Sequence, residues 1–280
     1  MSLSKFINQE NIKEIIRPHI KLLPKIAYKP LLVPSIGLYA FEGTAFDYCL
    51  RFLIYKKFKE QVDRKVAFCW IASIALKMLP LEQQNFWIPY VSRGKQLFED
   101  FSLDRNVSIE QIAICSQYLA NLDNAKRCYN NYNPNFKHND KLTEELMNLM
   151  DIPDNVLEQF SSNNIYLNPF MRSGKLVKGA DADIITDNCI YEIKTVKRLE
   201  ITEDYIHQLL GYYVLNRMDG LYEVKTKSVI DSIGVYFSRH KKLYKYDIDD
   251  IVNNIDDLYS KLKKEIKDYS NGYISSYAFK

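Results

Sequence analysis

Closely spaced cysteines are missing from this 280-residue chain. The five that occur (Cys49, Cys69, Cys115, Cys128 and Cys189) are odd in number and scattered, and no pair has the spacing of a zinc or iron–sulfur site. They read as reduced structural thiols, which fits a cytoplasmic protein without a signal peptide. Glycine is scarce as well: nine residues, none grouped into a phosphate-cradling loop, so hydrolysis by a P-loop and a nucleotide cofactor are not expected. The four histidines (His19, His138, His207, His240) share no ligand spacing, and no Ser/His/Asp or Cys/His nucleophile set is found. No apolar run reaches the ~18–20 residues of a membrane span. The most apolar segment, Val66–Leu81, contains Lys77 and stops at Pro80, so a buried helix fits it and no membrane partner is expected. Charge of one sign is not in excess either. At a net +3, a polyanion must be gripped by a local basic groove.

What is present is ordinary for a soluble globular protein: 47% hydrophobic and 26% charged residues, enough for one elaborated domain or two small ones. The 21 tyrosines, with abundant Ile, Asn and Lys, match AT-rich codons and carry no functional signal by themselves. Residues 1–34 hold an amphipathic stretch broken by Pro18 and Pro24. Ser35–Phe58 reads as a helix, with Phe46, Leu50, Leu53 and Ile54 at helical spacing. From 61 to 160 the pattern stays helical between prolines, and Ser108-Ile-Glu-Gln111 has the form of a capping box.

At Asn164 the character changes. Asn164–Phe170, Leu176–Thr186 and Cys189–Val196 are short and β-rich, with turns at Ser173-Gly174 and Asp187-Asn188. Thr202–Arg217 returns to helix, Ser232–Ser238 and Lys242–Asp247 form a strand pair, and a helix from Asp249 to about Tyr269 follows. The pattern predicts an α+β fold with a central mixed β-sheet flanked by helices. It divides into N-terminal helices (1–60), a large helical insertion (61–160) and a core with a C-terminal helix (161–280).

The densest chemistry lies in Asp183-Ile-Ile-Thr-Asp-Asn-Cys-Ile-Tyr-Glu192-Ile193-Lys194. Asp/Glu-x-Lys alone occurs four times (Asp63/Lys65, Glu192/Lys194, Glu223/Lys225, Glu265/Lys267) and means little. Context singles out Glu192/Lys194: Ile190, Ile193 and Val196 make the segment a strand, so Glu192 and Lys194 share one face and Ile193 takes the other. The Asp187-Asn188 turn brings Asp183 back beside Glu192, with Asp181 as its rival. A partly buried charge cluster of this kind is costly without a counter-cation. Asp183 and Glu192 are hard oxygen ligands suited to one or two Mg2+ ions, with Mn2+ able to substitute, and the Ile193 main-chain carbonyl could add a ligand. Lys194 is placed to position a water and stabilise developing negative charge. The bland alternative is a Glu192–Lys194 salt bridge on a solvated edge.

At these residues the chain resembles the PD-(D/E)XK nuclease superfamily, specifically its RecB-like branch. The resemblance extends to Gln208-Leu-Leu-Gly-Tyr212, which matches the Gln-x-x-x-Tyr motif on the helix after the lysine strand; the four-residue spacing puts both side chains on one helix face. It extends also to Gly43-Thr44-Ala45-Phe46-Asp47, which keeps the frame of Gly-Thr-x-x-His with Asp47 where the family has its metal-binding histidine. The resemblance covers 35–58 and about 164–247. It implies a restriction-endonuclease-like core and a stand-alone Mg2+-dependent deoxyribonuclease, exonuclease or endonuclease, in DNA processing or defence. Implied roles are catalysis by Asp183, Glu192 and Lys194, metal binding by Asp47, Asp183, Glu192 and Ile193, and DNA contact by Gln208 and Tyr212. Asp47 could instead pair with Arg51 one turn on, and Glu42 competes with it as a ligand. A non-cleaving nucleic-acid-binding module on the same fold is the alternative function, and an interaction scaffold a second. Lys197-Arg198 and Arg239-His240-Lys241-Lys242 are candidate phosphate grips. Tyr129, Tyr132 and Phe136 could stack bases or cover the core.

Overall fold

The computed structural model describes residues 2–21, 23, 25–225 and 227–278, with side chains described up to residue 271. The helices are α1 (Leu3–Ile7), α2 (Glu10–Ile16), α3 (Tyr39–Lys57), α4 (Arg64–Ala67), α5 (Ile71–Met78), α6 (Leu81–Ser102), α7 (Ile109–Arg127), α8 (Asp140–Met150), α9 (Asp154–Leu157), α10 (Glu203–Asp219), α11 (Ile248–Ile251) and α12 (Ile255–Ala278). The strands are β1 (Ile165–Leu167), β2 (Ile184–Thr186), β3 (Cys189–Lys194), β4 (Ser232–Phe237) and β5 (Lys242–Asp247).

The five strands form one sheet in the order β1-β2-β3-β4-β5. All neighbours are antiparallel except β3 and β4, which run parallel over their full length from Cys189↔Ser232 to Lys194↔Phe237. A parallel pair needs a crossover, and α10 supplies it. The fold is therefore α+β with a mixed sheet, as the pattern predicts.

Alternation in the strands splits the interior in two. Cys189, Tyr191 and Ile193 of β3 face α3 and the helical 61–160 block, joining Phe46, Trp70, Trp87, Phe98 and Leu119. Ile190, with Ile233, Val235 and Phe237 of β4, faces α1, α2, α10 and α12. The segment 61–160 thus packs on α3 and one sheet face through a shared core. At the sheet centre Gly234 is required, because a Cβ there would lie 2.5 Å from the Tyr191 ring.

Local signals set the boundaries. Ser108 and Gln111 form the reciprocal capping box at the start of α7, with Gln111 N–H to Ser108 Oγ at 3.1 Å and Ser108 N–H to Gln111 Oε1 at 3.0 Å. Thr202 caps α10, and Gly220 ends it at φ +71°. Two predicted segments differ. The stretch Leu176–Thr186 yields a strand only at Ile184–Thr186. Residues Arg172–Val177 instead wind into a 3-10 turn that ends with Lys178 and Gly179 at positive φ, tight against Ala180. The C-terminal helix is broken between α11 and α12, where the N-terminal segment intrudes. Val252 bridges Ile20, Asn253 N–H donates to the His19 carbonyl at 2.7 Å, and Asn254 takes φ +51°.

Candidate active site

The β2–β3 register pairs Ile184 with Tyr191, so one further step sets Asp183 across from Glu192. There β2 has not yet begun while β3 runs on to Lys194, and the sheet opens into a cleft of about 220 Å³. Asp183, Glu192 and Ile193 line it from the sheet, Gly43, Thr44 and Asp47 from α3, and Asp123 and Arg127 from α7. All four residues that the sequence proposes as metal ligands therefore share one cleft.

Glu192 is buried. Its Oε1 accepts from Lys194 Nζ at 2.7 Å, and its Oε2 is enclosed without a partner. Lys194 also donates to Gln208 Oε1 at 3.3 Å, and its ammonium sits 4.4 Å from the centre of the Tyr205 ring. Burial works against the charge on Lys194, but Glu192 and Asp183 outweigh it and raise its pKa, so it stays an ammonium at neutral pH. Asp183 accepts the Ile193 N–H at 2.7 Å. Burial, then the charge of Glu192, pushes the Asp183 carboxyl up to about 7.

Gln208 and Tyr212 do lie on one face of α10. Gln208 Nε2 donates to the Tyr212 hydroxyl at 3.1 Å while its Oε1 faces Lys194. Tyr212 is buried, so in this arrangement it orients Gln208 and offers no surface of its own. Asp47 is held by Arg51 one turn on, in a two-point ion pair. Arg51 is wholly buried, reaches Asn168 Oδ1 at 3.1 Å, and has its pKa lowered by burial to about 10. Ile193, proposed to offer its carbonyl, gives its N–H to Asp183.

The two rivals are, like Asp47, engaged by basic partners. Asp181 is held by Arg127. Glu42 lies in the core, accepting from Arg239, the Ser35 hydroxyl and the Leu38 N–H. The Arg239 phosphate grip is a correction for the same reason: Arg239 is fully buried between Glu42 and Glu145. His240 next to it spends both ring nitrogens on the carbonyls of Pro30 and Lys197. Lys197 and Arg198 are exposed and line a neighbouring groove of about 510 Å³ with Tyr39 and Tyr205. That groove shares Ala40 and Gly43 with the cleft. Tyr132 and Phe136 cover the helical core, while Tyr129 is exposed.

Sequence reasoning missed Asp123 and Arg127. Asp123 is buried in α7, accepts from the Tyr48 hydroxyl at 2.7 Å, and is pushed by burial to about 6. The signal was a carboxylate on the apolar face that continues from Leu119 and Ala120, with an arginine four residues on. Asp47, Asp123, Asp181, Asp183 and Glu192 face Arg51, Arg127 and Lys194. When all are ionised, five carboxylates against three cations leave two negative charges in excess.

Donor type suits a divalent cation: hard oxygens, excess negative charge and an unsatisfied Glu192 oxygen. Yet among the described residues no group of three or more His, Cys, Asp or Glu side chains is set to hold a metal ion. Asp47 is paired with Arg51, Asp183 accepts from Ile193 and Glu192 accepts from Lys194. Among the described residues no helix is long and apolar enough to cross a membrane. No family model, curated protein or solved structure matches the chain.

Proposed function

We propose that the chain is a Mg2+-dependent deoxyribonuclease of the RecB-like PD-(D/E)XK type, with Mn2+ able to substitute. The observation that carries this reading is the meeting of Asp183, Glu192 and Lys194 where β2 and β3 part, with Gln208 bonded to the lysine. Asp183 and Glu192, joined by Asp47 and the Ile193 carbonyl, are the groups that would hold the cation. When bound, a divalent cation supplies charge neutralisation and Lewis-acid polarisation at a phosphodiester.

The chain's own residues have separate roles. Lys194, held charged by Glu192 and Asp183, is a hydrogen-bond donor toward a phosphate oxygen or the attacking water. Gln208 fixes the lysine laterally, and Tyr212 fixes Gln208. Asp183, whose carboxyl is pushed up by burial and Glu192 when no cation is present, is the group whose charge a bound divalent cation would stabilise most. The groove lined by Lys197, Arg198 and Tyr39 opens beside Gly43 and suits the backbone of a DNA strand.

The test is cleavage of end-labelled linear and covalently closed circular DNA with Mg2+ or Mn2+. Metal-dependent cutting that disappears in Lys194→Ala is the expected result, and the two substrates separate end-dependent from internal attack. No cutting by the wild type, with no Mn2+ binding in calorimetry, would overturn it. The Asp47–Arg51 pair favours a second reading, a module on the same fold that binds nucleic acid without cutting. New cleavage on Asp47→His in an inactive parent would support that reading.

A further inference from the structure

A second cavity, of about 570 Å³, opens between α5, α6 and the segment after β1. Phe68, Trp70, Phe170 and Tyr222 line it, and so do Lys77, Lys95, Arg172 and Lys175. Among the described residues no carboxylate lines it and none of these four cations is in an ion pair; the Arg172 side chain donates to the carbonyls of Leu221 and Val224. Glu223 lines a separate cavity and acts on Cys69, while Asp181 pairs with Phe170 and is itself held by Arg127. Phe68 stacks on the buried Trp70, parallel within 5° at 6.2 Å between centres, so the rings that open to the cavity are the half-buried Phe68 and Phe170 and the exposed Tyr222. The Ser73 hydroxyl, which also lines the cavity, is buried without a hydrogen-bond partner.

We propose that this cavity binds a nucleotide, with its base against the aromatic side chains and its phosphate on the lysine–arginine rim. Aromatic faces and unpaired cations together select a flat anion, for which stacking and phosphate contact act at once. An anionic lipid tail suits the site less well, because it would leave Ser73 unsatisfied where a base edge can bond it. The location points to a nucleotide of a strand. Phe170 bridges Asp181, whose partner Arg127 lines the cleft, and Lys126 lies 5.6 Å over the Phe170 ring. The proposal deepens the reading of the chain as acting on nucleic acid, but its test needs no cleavage.

The experiment is a binding titration in EDTA with thymidine 5′-monophosphate, thymidine, inorganic phosphate and a fluorescent single-stranded oligothymidylate. Thymidine 5′-monophosphate should bind at least about tenfold more tightly than thymidine or phosphate, and should displace the oligonucleotide. Lys77→Glu with Lys175→Glu, both exposed and so compatible with the fold, should weaken both ligands by about tenfold or more. Phe170→Ala should weaken the monophosphate and leave inorganic phosphate unchanged. An oligonucleotide preferred over the monophosphate identifies the strand as the ligand, and equal affinity per nucleotide identifies the free nucleotide. Binding unchanged in the double lysine variant, or a monophosphate bound no better than phosphate, overturns the proposal. Because EDTA is present throughout, neither result depends on whether the cleft cuts DNA.

Discussion

Replacing Asp183 with asparagine is expected to make the metal-free protein more stable, although it removes a central residue of the cleft. Burial and the facing Glu192 hold the Asp183 carboxyl near 7 instead of 3.8. A folded state that raises a carboxyl pKa binds the extra proton between those values, so stability falls as pH rises through that window. About three pKa units correspond to ~4 kcal/mol as an upper bound. Asp183 keeps some contact with solvent, and screening reduces the figure to about 2 kcal/mol. Asparagine can still accept the Ile193 N–H through its Oδ1, so little is lost in exchange. Thermal unfolding in EDTA should therefore show Asp183→Asn melting about 4 °C or more above the wild type at pH 8, with the gain shrinking toward pH 4.5. Mg2+ should raise the wild-type melting point at pH 8 and leave the variant unmoved. A variant that melts lower than the wild type at pH 8 would refute the claim that like charges meet in this cleft.

Arg239→Ala strands the buried carboxylates of Glu42 and Glu145 and should cost about 3–5 kcal/mol in urea unfolding; a loss under 1 kcal/mol would show that the network is solvated. Asp187 gathers bonds from Ser162, Asn163 and Asn164; burial opposes its charge, but these bonds prevail and lower its pKa. Its stabilisation is thus present above the unfolded value of 3.8 and lost as pH falls through the lower folded value, so Asp187→Ala should differ from wild type at pH 7 and converge with it in acid. Tyr212→Phe removes the acceptor that orients Gln208 and should lower kcat by about tenfold while leaving KM unchanged; a change confined to KM would instead make Tyr212 a substrate contact.

Legibility followed sequence distance. The Asp183–Glu192–Lys194 set was readable because nine residues, a two-residue turn and the period-2 rule of a strand fix who faces whom. The pairing of Gln208 with Tyr212 was readable from one helical turn. Asp123 and Arg127 reach the cleft only because α7 packs on α3, a contact that no local rule supplies. Arg239 misled for the converse reason: a basic turn looks solvated until two distant glutamates, from α3 and α8, are brought around it. Leu176–Thr186 misled because its apolar residues are buried by a 3-10 turn as well as a strand would bury them.

These long-range pairings also explain why the middle of the first turns of α3 faces the cleft. Glu42 is tied inward by Arg239, and Arg51 is tied inward near Asn168. With both charges anchored, Gly43, Thr44 and Asp47 are left along the open side of the helix. Gly43 has no side chain to fill the space there; a Cβ would meet nothing nearer than Thr195 at 3.9 Å. Asp47 on that side is held by an arginine whose own charge is disfavoured by burial. Neutralising that arginine as Arg51→Met should free Asp47 toward Asp183 and Glu192, adding a third oxygen donor while raising their mutual repulsion. The expected signature is a metal-free protein that melts lower and a Mn2+ affinity that rises by about tenfold in calorimetry. If Mn2+ affinity falls while the fold persists by circular dichroism, Asp47 is a structural partner of Arg51 and the cleft holds its cation, if any, through Asp183 and Glu192 alone.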